Sequence, residues 1–325
     1  MHSPKEIDIT ILKELLKDGR TSFTSLAQQY NTSKDIIWKH YRELEKDGII
    51  VGATIQINVQ KLGYSGVAML MLNVDSQNIN RVYEALTQIT TECETYRYCG
   101  IFRYYNSEFS LAMIARLKTL NELEQAKQRI NKQGGVNEIK TLLWTDCRNT
   151  PENVLTGGIT KKIPSKKDSE QDFPDGAIKL DEVDNQIIQK LTKNGRLPFS
   201  SIAEEIGSST YTVTRRYEKL LKNNYLKTSI QINPVQLGFQ AILELHLSLA
   251  DHGETKTVVD EISKIPGVSY VLQISGDFDL IVVALVKDCK DIIALNEAID
   301  NIQYVKKVNG LIRQIPPMWP TPFQY

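Results

Sequence analysis

The pattern of apolar and polar positions occurs twice along the chain. Each occurrence opens with apolar residues at helical spacing, which predicts an amphipathic helix. These residues are Ile7, Ile11, Leu12 and Leu15 in the first copy and Val183, Ile187, Ile188 and Leu191 in the second. Residues 8–50 align with residues 184–226 without a gap. Self-similarity over so long a stretch indicates a duplicated pair of domains rather than a solenoid.

Each copy continues with the same short elements. A Gly-Arg pair ends the first helix, a short second helix follows, and after a turn of three or four residues a third helix begins at Ser33 or Ser209. Ser22 has the position of an N-cap for the second helix of copy one, and Pro198 takes that place in copy two. Alternating residues near "IIVGATIQIN" and "YLKTSIQIN" then predict a hairpin in each copy. Three helices closed by a hairpin are typical of a winged helix-turn-helix.

The second part of each copy mixes strands and helices. In copy two, the strand-like stretches "AILELHLSL", "GVSYVLQIS", "LIVVALVK" and "VKKVNGLIRQI" are interrupted by predicted helices over Lys256–Ile265 and Asp288–Asn301. Copy one gives the same order, with helices over Ile79–Ile89 and Leu120–Asn131. The order β-α-β-β-α-β is that of the ferredoxin-like split unit.

The chain is therefore expected to be an α+β protein of four alternating domains. We expect winged helix-turn-helix domains over residues 1–63 and 180–238, and ferredoxin-like βαββαβ domains over residues 64–148 and 239–325. Residues 149–179 are rich in Lys, Asp, Ser, Gly and Pro and have the composition of a flexible linker. We expect the two βαββαβ domains to pair through their sheets within one chain, because helices on one face leave the other face to be buried.

Composition is that of an ordinary globular protein and does not by itself indicate a partner. Lys and Arg together number 39, equal to Asp and Glu, so a nucleic-acid partner must be argued from local charge. The N-terminal stretch has no apolar signal core, and the longest apolar run, "LIVVALV", is too short to span a bilayer. The four cysteines show no zinc spacing, and we expect a cytoplasmic protein with reduced thiols.

Local positive charge is greatest on the third helix of copy two. Between Ser209 and Lys222, four basic residues stand against one acidic residue, a net charge of +3. The matching span of copy one has four basic and three acidic residues, a net charge of +1. Positive charge near a helix that enters the major groove gives affinity for phosphate, and Arg can also read guanine edges. The inward face of this helix is expected to comprise Val213, Tyr217, Leu220 and Leu221.

A winged helix-turn-helix joined to a βαββαβ domain resembles the Lrp/AsnC (feast/famine) family of prokaryotic transcription regulators. "LDEVDNQIIQKLTKNGR" resembles the first helix of that family, and "SIAEEIGSSTYTVTRRYEKL" resembles its helix-turn-helix. "ISGDFDLIVVALVKD" resembles its Gly-x-x-Asp hairpin. The resemblance implies sequence-specific binding to double-stranded DNA, a small-molecule effector such as an amino acid, and assembly of the intrachain pseudo-dimer into larger homo-oligomers.

Candidate site residues follow from these patterns. The residues expected at DNA are Lys34, Trp38, Lys39, His40 and Arg42 in copy one, and Ser209, Thr210, Tyr211, Thr214, Arg215, Arg216 and Lys219 in copy two. The resemblance places an effector at Gly276, Asp277 and Asp279, although a plain tight turn needs only the turn chemistry of Gly and Asp. Copy one has "NSEFS" there, with Ser107 and Ser110 in place of the Gly and the second Asp, and is not expected to bind effector.

The sequence has no nucleophile elbow, P-loop or dinucleotide fingerprint, and its four histidines have no metal-ligand spacing. We therefore expect neither an enzyme nor a cofactor or metal. One enzymatic alternative comes from the fold, because siroheme decarboxylases resemble this two-part architecture and need basic and His groups around a tetrapyrrole. Copy one offers Arg103 and two tyrosines there but no His. The other alternative is a ligand sensor whose helix-turn-helix modules no longer bind DNA.

Overall fold

The computed structural model describes residues 4–58, 61–92, 100–105, 107–155 and 180–321. Copy one begins with three helices and a strand and continues with a βαββαβ unit. Its elements are α1 (Glu6–Lys17), α2 (Phe23–Gln29), α3 (Lys34–Lys46), β1 (Ile50–Ile57), β2 (Gly66–Val74), α4 (Ile79–Glu92), β3 (Ile101–Tyr105), β4 (Leu111–Leu117), α5 (Asn121–Asn131) and β5 (Val136–Asn149).

Copy two repeats this order. Its elements are α6 (Glu182–Lys193), α7 (Phe199–Glu205), α8 (Thr210–Lys222), β6 (Leu226–Ile232), β7 (Ala241–Leu249), α9 (Thr255–Ile262), β8 (Val268–Ser275), β9 (Leu280–Val286), α10 (Cys289–Asp300) and β10 (Val305–Arg313). Among the described helices, none has the length and apolar character needed to cross a membrane.

Side-chain caps start several of the helices where the sequence predicts them. The hydroxyl of Ser22 accepts a hydrogen bond from the backbone N–H of Ser25 at 3.0 Å, which confirms Ser22 as the N-cap of α2. Ser209 caps α8 in the same way, with the N–H of Thr212 at 3.0 Å. Pro198 has the N-cap position of α7 and makes no side-chain cap.

The strand after each set of three helices pairs with the other copy. β1 and β6 form an antiparallel two-stranded sheet in which Thr54 lies opposite Ser229. The hairpin predicted within each copy is therefore wrong. Alternation identifies a strand but not its partner, and after β6 the chain turns into a 3-10 helix over Pro234–Leu237 instead of a return strand.

The other eight strands close into one antiparallel barrel, in the order β10-β3-β4-β2-β5-β8-β9-β7. Within this barrel the two copies join twice, where β5 pairs with β8 and where β10 pairs with β3. In each copy the helices cover the outer face of the strands, as when Val82 of α4 packs with Leu70 of β2. The opposite faces, which include Met69 and Ile242, turn into the barrel. The predicted pairing of the two sheets within one chain is confirmed.

The first residues of the predicted linker belong to the folded protein. β5 continues to Asn149, and Pro151–Leu155 forms a 3-10 helix in which Val154 and Leu155 are buried with the core of α1. These two apolar side chains explain the difference, because burying them is favourable although the surrounding composition is polar. Residues 156–179 of the predicted linker lie outside the described residues.

Candidate nucleic-acid interface and effector hairpin

The helix α8 buries one face and exposes the other. Val213, Tyr217 and Leu220 are buried, as the pattern predicts. Leu221 was expected on the same face but is 44% exposed. It follows Leu220 by one residue, a rotation of about 100° around the helix, which carries it past the edge of the buried face. The Tyr217 hydroxyl lies 2.8 Å from the Thr228 hydroxyl of β6 and helps to fix α8 on its module.

The exposed face of α8 carries most of the residues expected at DNA in copy two. The side chains of Thr210, Tyr211, Arg215 and Lys219 are exposed, and Tyr211 is 77% exposed. Thr214 is half-buried, and its hydroxyl donates a hydrogen bond to the carbonyl oxygen of Thr210 at 2.9 Å. The face therefore combines two exposed cations with hydroxyl groups.

Arg216 points away from this exposed face. Its Nη1 atom lies 2.7 Å from a carboxylate oxygen of Asp181 and 3.0 Å from one of Asp184, at the start of α6. Hydrogen bonds to the Asp181 and Asp184 carboxylates raise the pKa of Arg216. The backbone N–H of Asp184 and the guanidinium of Arg216 lower the pKa of Asp181. Arg216 therefore ties α8 to α6, and of the two adjacent arginines Arg215 is the one directed to the surface.

His40 has the corresponding place in copy one. Its Nδ1 atom lies 2.7 Å from a carboxylate oxygen of Asp8, a residue that is buried in α1. The other Asp8 oxygen accepts a hydrogen bond from the backbone N–H of Lys5 at 2.7 Å. His40 thus joins α3 to α1 in the same way as Arg216 joins α8 to α6.

The remaining candidates of α3 form a less cationic surface than those of α8. Lys34 and Lys39 are exposed. Arg42 pairs with Glu45 at 2.6 Å, which offsets its charge. Trp38 is 49% exposed and directly follows Ile37, which is fully buried. Its ring centroid lies 5.7 Å from that of Phe23 at the start of α2, so Trp38 is partly a packing residue.

The hairpin between β8 and β9 packs against copy one. A Cβ atom at Gly276 would lie 2.7 Å from a methyl carbon of Leu142 in β5, so the missing side chain makes room for the neighbouring strand. Asp277 is largely exposed and pairs with Lys140 of β5 at 2.5 Å. Asp279 accepts a hydrogen bond from the backbone N–H of Leu249 at 2.7 Å. Of the two aspartates predicted at an effector, Asp277 is therefore the more accessible.

Lys140 lies between the hairpins of the two copies. Its Nζ atom is 5.1 Å from the centre of the Phe278 ring and 5.7 Å from that of Phe109 in the copy-one hairpin. In that hairpin the hydroxyl of Ser107 accepts a hydrogen bond from the backbone N–H of Phe109 at 3.2 Å. An ammonium, a carboxylate and two aromatic rings thus meet where the copies join. Lys140 was not among the predicted residues, since it belongs to the other copy.

A charged cluster lies inside the barrel at the β7, β10 and β3 strands. The fully buried carboxylate of Glu244 accepts hydrogen bonds from the Tyr104 hydroxyl and from Nε2 of His246, each at 2.8 Å, and lies 3.0 Å from Nε of Arg313. Burial alone would raise the pKa of Glu244, but the His246 hydrogen bond and the Arg313 charge outweigh it, and the pKa is lowered. Burial raises the pKa of Tyr104 well above its ordinary value.

This cluster was not predicted from the sequence. The signal in the sequence was the pair Glu244 and His246 at alternate positions of a mostly apolar strand, which places both side chains on the inner face. The matching positions of copy one are Met69 and Met71. Copy one therefore has two thioether side chains at the positions where copy two has this polar pair.

Two winged helix-turn-helix modules are attached to a barrel made of two βαββαβ domains. This arrangement defines a class of protein that combines helix-turn-helix and ligand-binding domains. Residues 5–51 match a winged helix-turn-helix DNA-binding model, residues 180–221 match an AsnC-type helix-turn-helix domain, and residues 240–312 match the Lrp/AsnC ligand binding domain. The chain belongs to the Lrp/AsnC family and contains its two-domain unit twice.

Curated relatives support this assignment. The chain is 30% identical over 135 residues to the HTH-type transcriptional regulator LysM of Saccharolobus solfataricus, a match that covers 42% of this chain and 92% of LysM. It is 38% identical over 95 residues to the HTH-type transcriptional regulator LrpA of Pyrococcus horikoshii, covering 29% of this chain and 67% of LrpA. Each relative thus corresponds to about one copy.

The two-copy architecture is also found in a solved structure. The siroheme decarboxylase NirDL superposes with a TM-score of 0.63 and covers 95% of this chain and 91% of its own, at 18% identity. Its co-complex with an iron-uroporphyrin III analogue gives the same TM-score and the same identity. At this identity the likeness concerns the fold, which confirms the tandem arrangement.

Proposed function

We propose that the chain is a sequence-specific DNA-binding transcription regulator that presents two recognition helices from one polypeptide. The observation that carries the proposal is the exposed face of α8, where Arg215 and Lys219 project beside the hydroxyl groups of Thr210 and Tyr211. Arg and Lys supply phosphate affinity and base contacts in the major groove. Membership of a family whose named relatives are transcription regulators supports the same conclusion.

The two recognition helices are proposed to read different half-sites. α8 exposes Arg215 and Lys219, whereas α3 exposes Lys34 and Lys39 and pairs its Arg42 with Glu45. Unequal side chains on equivalent helix positions favour an asymmetric operator over a palindrome. Copy two is proposed to contribute the larger share of the affinity.

The test is selection of duplexes from a random pool by the purified full chain, followed by footprinting of the selected sequences. Two protected regions of different sequence support the proposal. Retention of every duplex with equal affinity contradicts sequence-specific binding. Retention of none also contradicts it and leaves the ligand-sensor alternative in its place. A perfect palindrome with equal tolerance in both halves contradicts the asymmetry alone.

We further propose that a zwitterionic small molecule, such as a free amino acid, binds at the junction of Asp277 and Lys140. The Asp277 carboxylate would accept hydrogen bonds from the ammonium group, and the Lys140 ammonium would bind the carboxylate. The rings of Phe109 and Phe278 beside Lys140 provide apolar surface for a side chain. Calorimetric titration with a panel of amino acids tests this proposal, and the absence of any heat of binding contradicts it.

The second candidate function is an enzyme that acts on a tetrapyrrole. The observation that favours it is the fold shared with NirDL over 95% of the chain, together with the Glu244, His246 and Arg313 cluster inside the barrel. Against it, inner-face side chains of the described barrel such as Met71 and Ile274 are buried in an apolar cluster, which offers no polar contact to a tetrapyrrole. Titration with iron-uroporphyrin III separates the candidates, since binding would shift its Soret absorption band.

A further inference from the structure

The two helix-turn-helix modules hold each other through a reciprocal pair of arginines. Nη2 of Arg20, just after α1, donates a hydrogen bond to the carbonyl oxygen of Leu197 in the other copy at 2.7 Å. Nη1 of Arg196, just after α6, donates to the carbonyl oxygen of Gly19 at 2.7 Å. We call these two contacts the arginine clasp. Each module thus holds the turn between the first and second helices of the other.

The arginine clasp reaches the recognition helices. The Arg20 guanidinium carbon lies 4.2 Å from the ring centre of Phe199 and 5.1 Å from that of Tyr217. Arg196 is 5.1 Å from Phe23 and 5.2 Å from Tyr41. Tyr41 and Tyr217 are buried residues of α3 and α8. Each guanidinium therefore packs on the recognition helix of the opposite copy.

The β1–β6 sheet adds hydrogen bonds to the same contact between the two helix-turn-helix modules. The backbone N–H of Gly19 donates to the carbonyl oxygen of Thr228 at 2.9 Å, and that of Gly195 donates to the carbonyl oxygen of Ala53 at 2.8 Å. The Ser229 hydroxyl donates to the carbonyl oxygen of Leu16 at 2.9 Å. Directional bonds on both sides of the β1–β6 sheet leave few ways for one module to rotate relative to the other.

We propose that Arg20 and Arg196 are positioning residues for DNA binding, which fix the separation and relative orientation of α3 and α8. The inference rests on the proposed DNA-binding function and adds that the operator has one permitted spacing between its half-sites. Each added base pair moves a half-site by about 3.4 Å and turns it by about 35°. A pair of recognition helices that cannot rotate cannot follow such a change.

The test uses the full chain and duplexes carrying the two half-sites identified by selection and footprinting, with the spacer changed one base pair at a time. The wild-type protein is expected to show a single optimum and to bind about tenfold more weakly two base pairs away, because one recognition helix then loses its half-site. The double variant Arg20→Gln, Arg196→Gln is expected to flatten this profile to less than about threefold. Its affinity for a duplex with the copy-two half-site alone should stay within about twofold of wild type.

The matched control is Arg148→Gln, which removes an exposed ion pair with Asp260 on the barrel and should keep the wild-type profile. A double variant with the wild-type optimum and sharpness overturns the role of the arginine clasp. If the double variant does not fold, the wild-type protein and the spacer series alone test the inference. A flat wild-type profile overturns the inference of one permitted spacing and leaves DNA binding intact. A protein that binds no duplex overturns both the inference and the proposed function.

Discussion

The guanidinium of Arg216 lies 3.0 Å from the carboxylate of Asp184, across the contact between α8 and α6. Its neighbour Arg215 is exposed. We expect Arg215→Ala to weaken DNA binding by about 1–3 kcal/mol and to reduce the salt dependence by roughly one ionic contact. Arg216→Ala should instead lower the free energy of unfolding by about 1–2 kcal/mol, because it leaves the buried Asp184 without its cation. Fluorescence anisotropy at several salt concentrations and thermal unfolding separate the two effects.

Two variants serve as controls for this pair. Lys306→Ala removes an exposed cation of β10, on the barrel, and should leave binding unchanged. Lys39→Ala is the copy-one counterpart of Arg215→Ala and should cost less affinity. A greater loss for Lys39→Ala would reverse the proposed ranking of the two copies. A reduced salt dependence for Arg216→Ala with unchanged melting temperature would place Arg216 at the DNA.

Gly195 leaves no space for a side chain. A Cβ atom there would lie 2.5 Å from the carbonyl oxygen of Thr54, in the backbone of β1. Gly195→Ala is expected to lower the free energy of unfolding by about 1–3 kcal/mol, because a strand must shift to admit the methyl group. Urea denaturation measures the change. Gly66→Ala, where no atom lies within 4 Å of the added carbon, is the control and should be close to neutral.

Glu244 contributes a pH-dependent part of the stability. Its pKa is lowered in the folded protein, so its contribution is present above the unfolded-state pKa of about 4.3 and is lost as the pH falls through the lower folded value. We expect Glu244→Gln to cost about 3 kcal/mol at neutral pH, because Arg313 is left buried without its counterion. The variant should also show a shallower loss of stability below pH 4.3.

Urea unfolding at a series of pH values checks this expectation. Glu138→Gln on the exposed side of β5 is the matched control, with a change of less than about 0.5 kcal/mol. Equal stability of the Glu244→Gln and wild-type proteins at neutral pH would mean that the buried carboxylate is not ionised.

The two aspartates of the β8–β9 hairpin should behave differently. Asp277→Ala removes an exposed partner of Lys140 and is expected to abolish amino-acid binding while leaving stability nearly unchanged. Asp279→Ala leaves the N–H of Leu249 without its acceptor and is expected to cost about 1–3 kcal/mol of stability. Calorimetric titration and thermal unfolding of both variants check the distinction. Glu108→Ala in copy one is the control, and loss of binding in that variant would move the site to the other hairpin.

The sequence predicts the helices and strands well because their signals are local. Val213 and Tyr217 recur on one face of α8, and both are buried as that spacing requires. Two residues of different copies that contact each other leave no such local pattern in the sequence. Tyr104 and Glu244 meet in the barrel although 140 residues separate them. The pairing of β1 with β6 is hidden for the same reason.

The roles of adjacent residues were also hard to separate from sequence. The sequence predicts that both Arg215 and Arg216 contact DNA, but the side chains of neighbouring residues on a helix differ by about 100° in direction. The second arginine therefore faces the acidic start of α6 rather than the surface. The Gly-Arg pair that ends the first helix of each copy was visible as a repeat, yet repetition alone does not show that Arg20 and Arg196 contact the opposite module.

The closed barrel of eight strands has a consequence for how this protein can change over time. In a regulator assembled from two identical chains, every mutation appears on both sides of the symmetry axis, and a change that suits one side must be tolerated by the other. In this chain a mutation changes only one of the two copies. Copy one has His40 at the position of Arg216 and Met71 at the position of His246. A symmetric pair of identical chains could not carry such differences. Covalent fusion also makes the pairing independent of protein concentration, so dilution does not separate the two recognition helices.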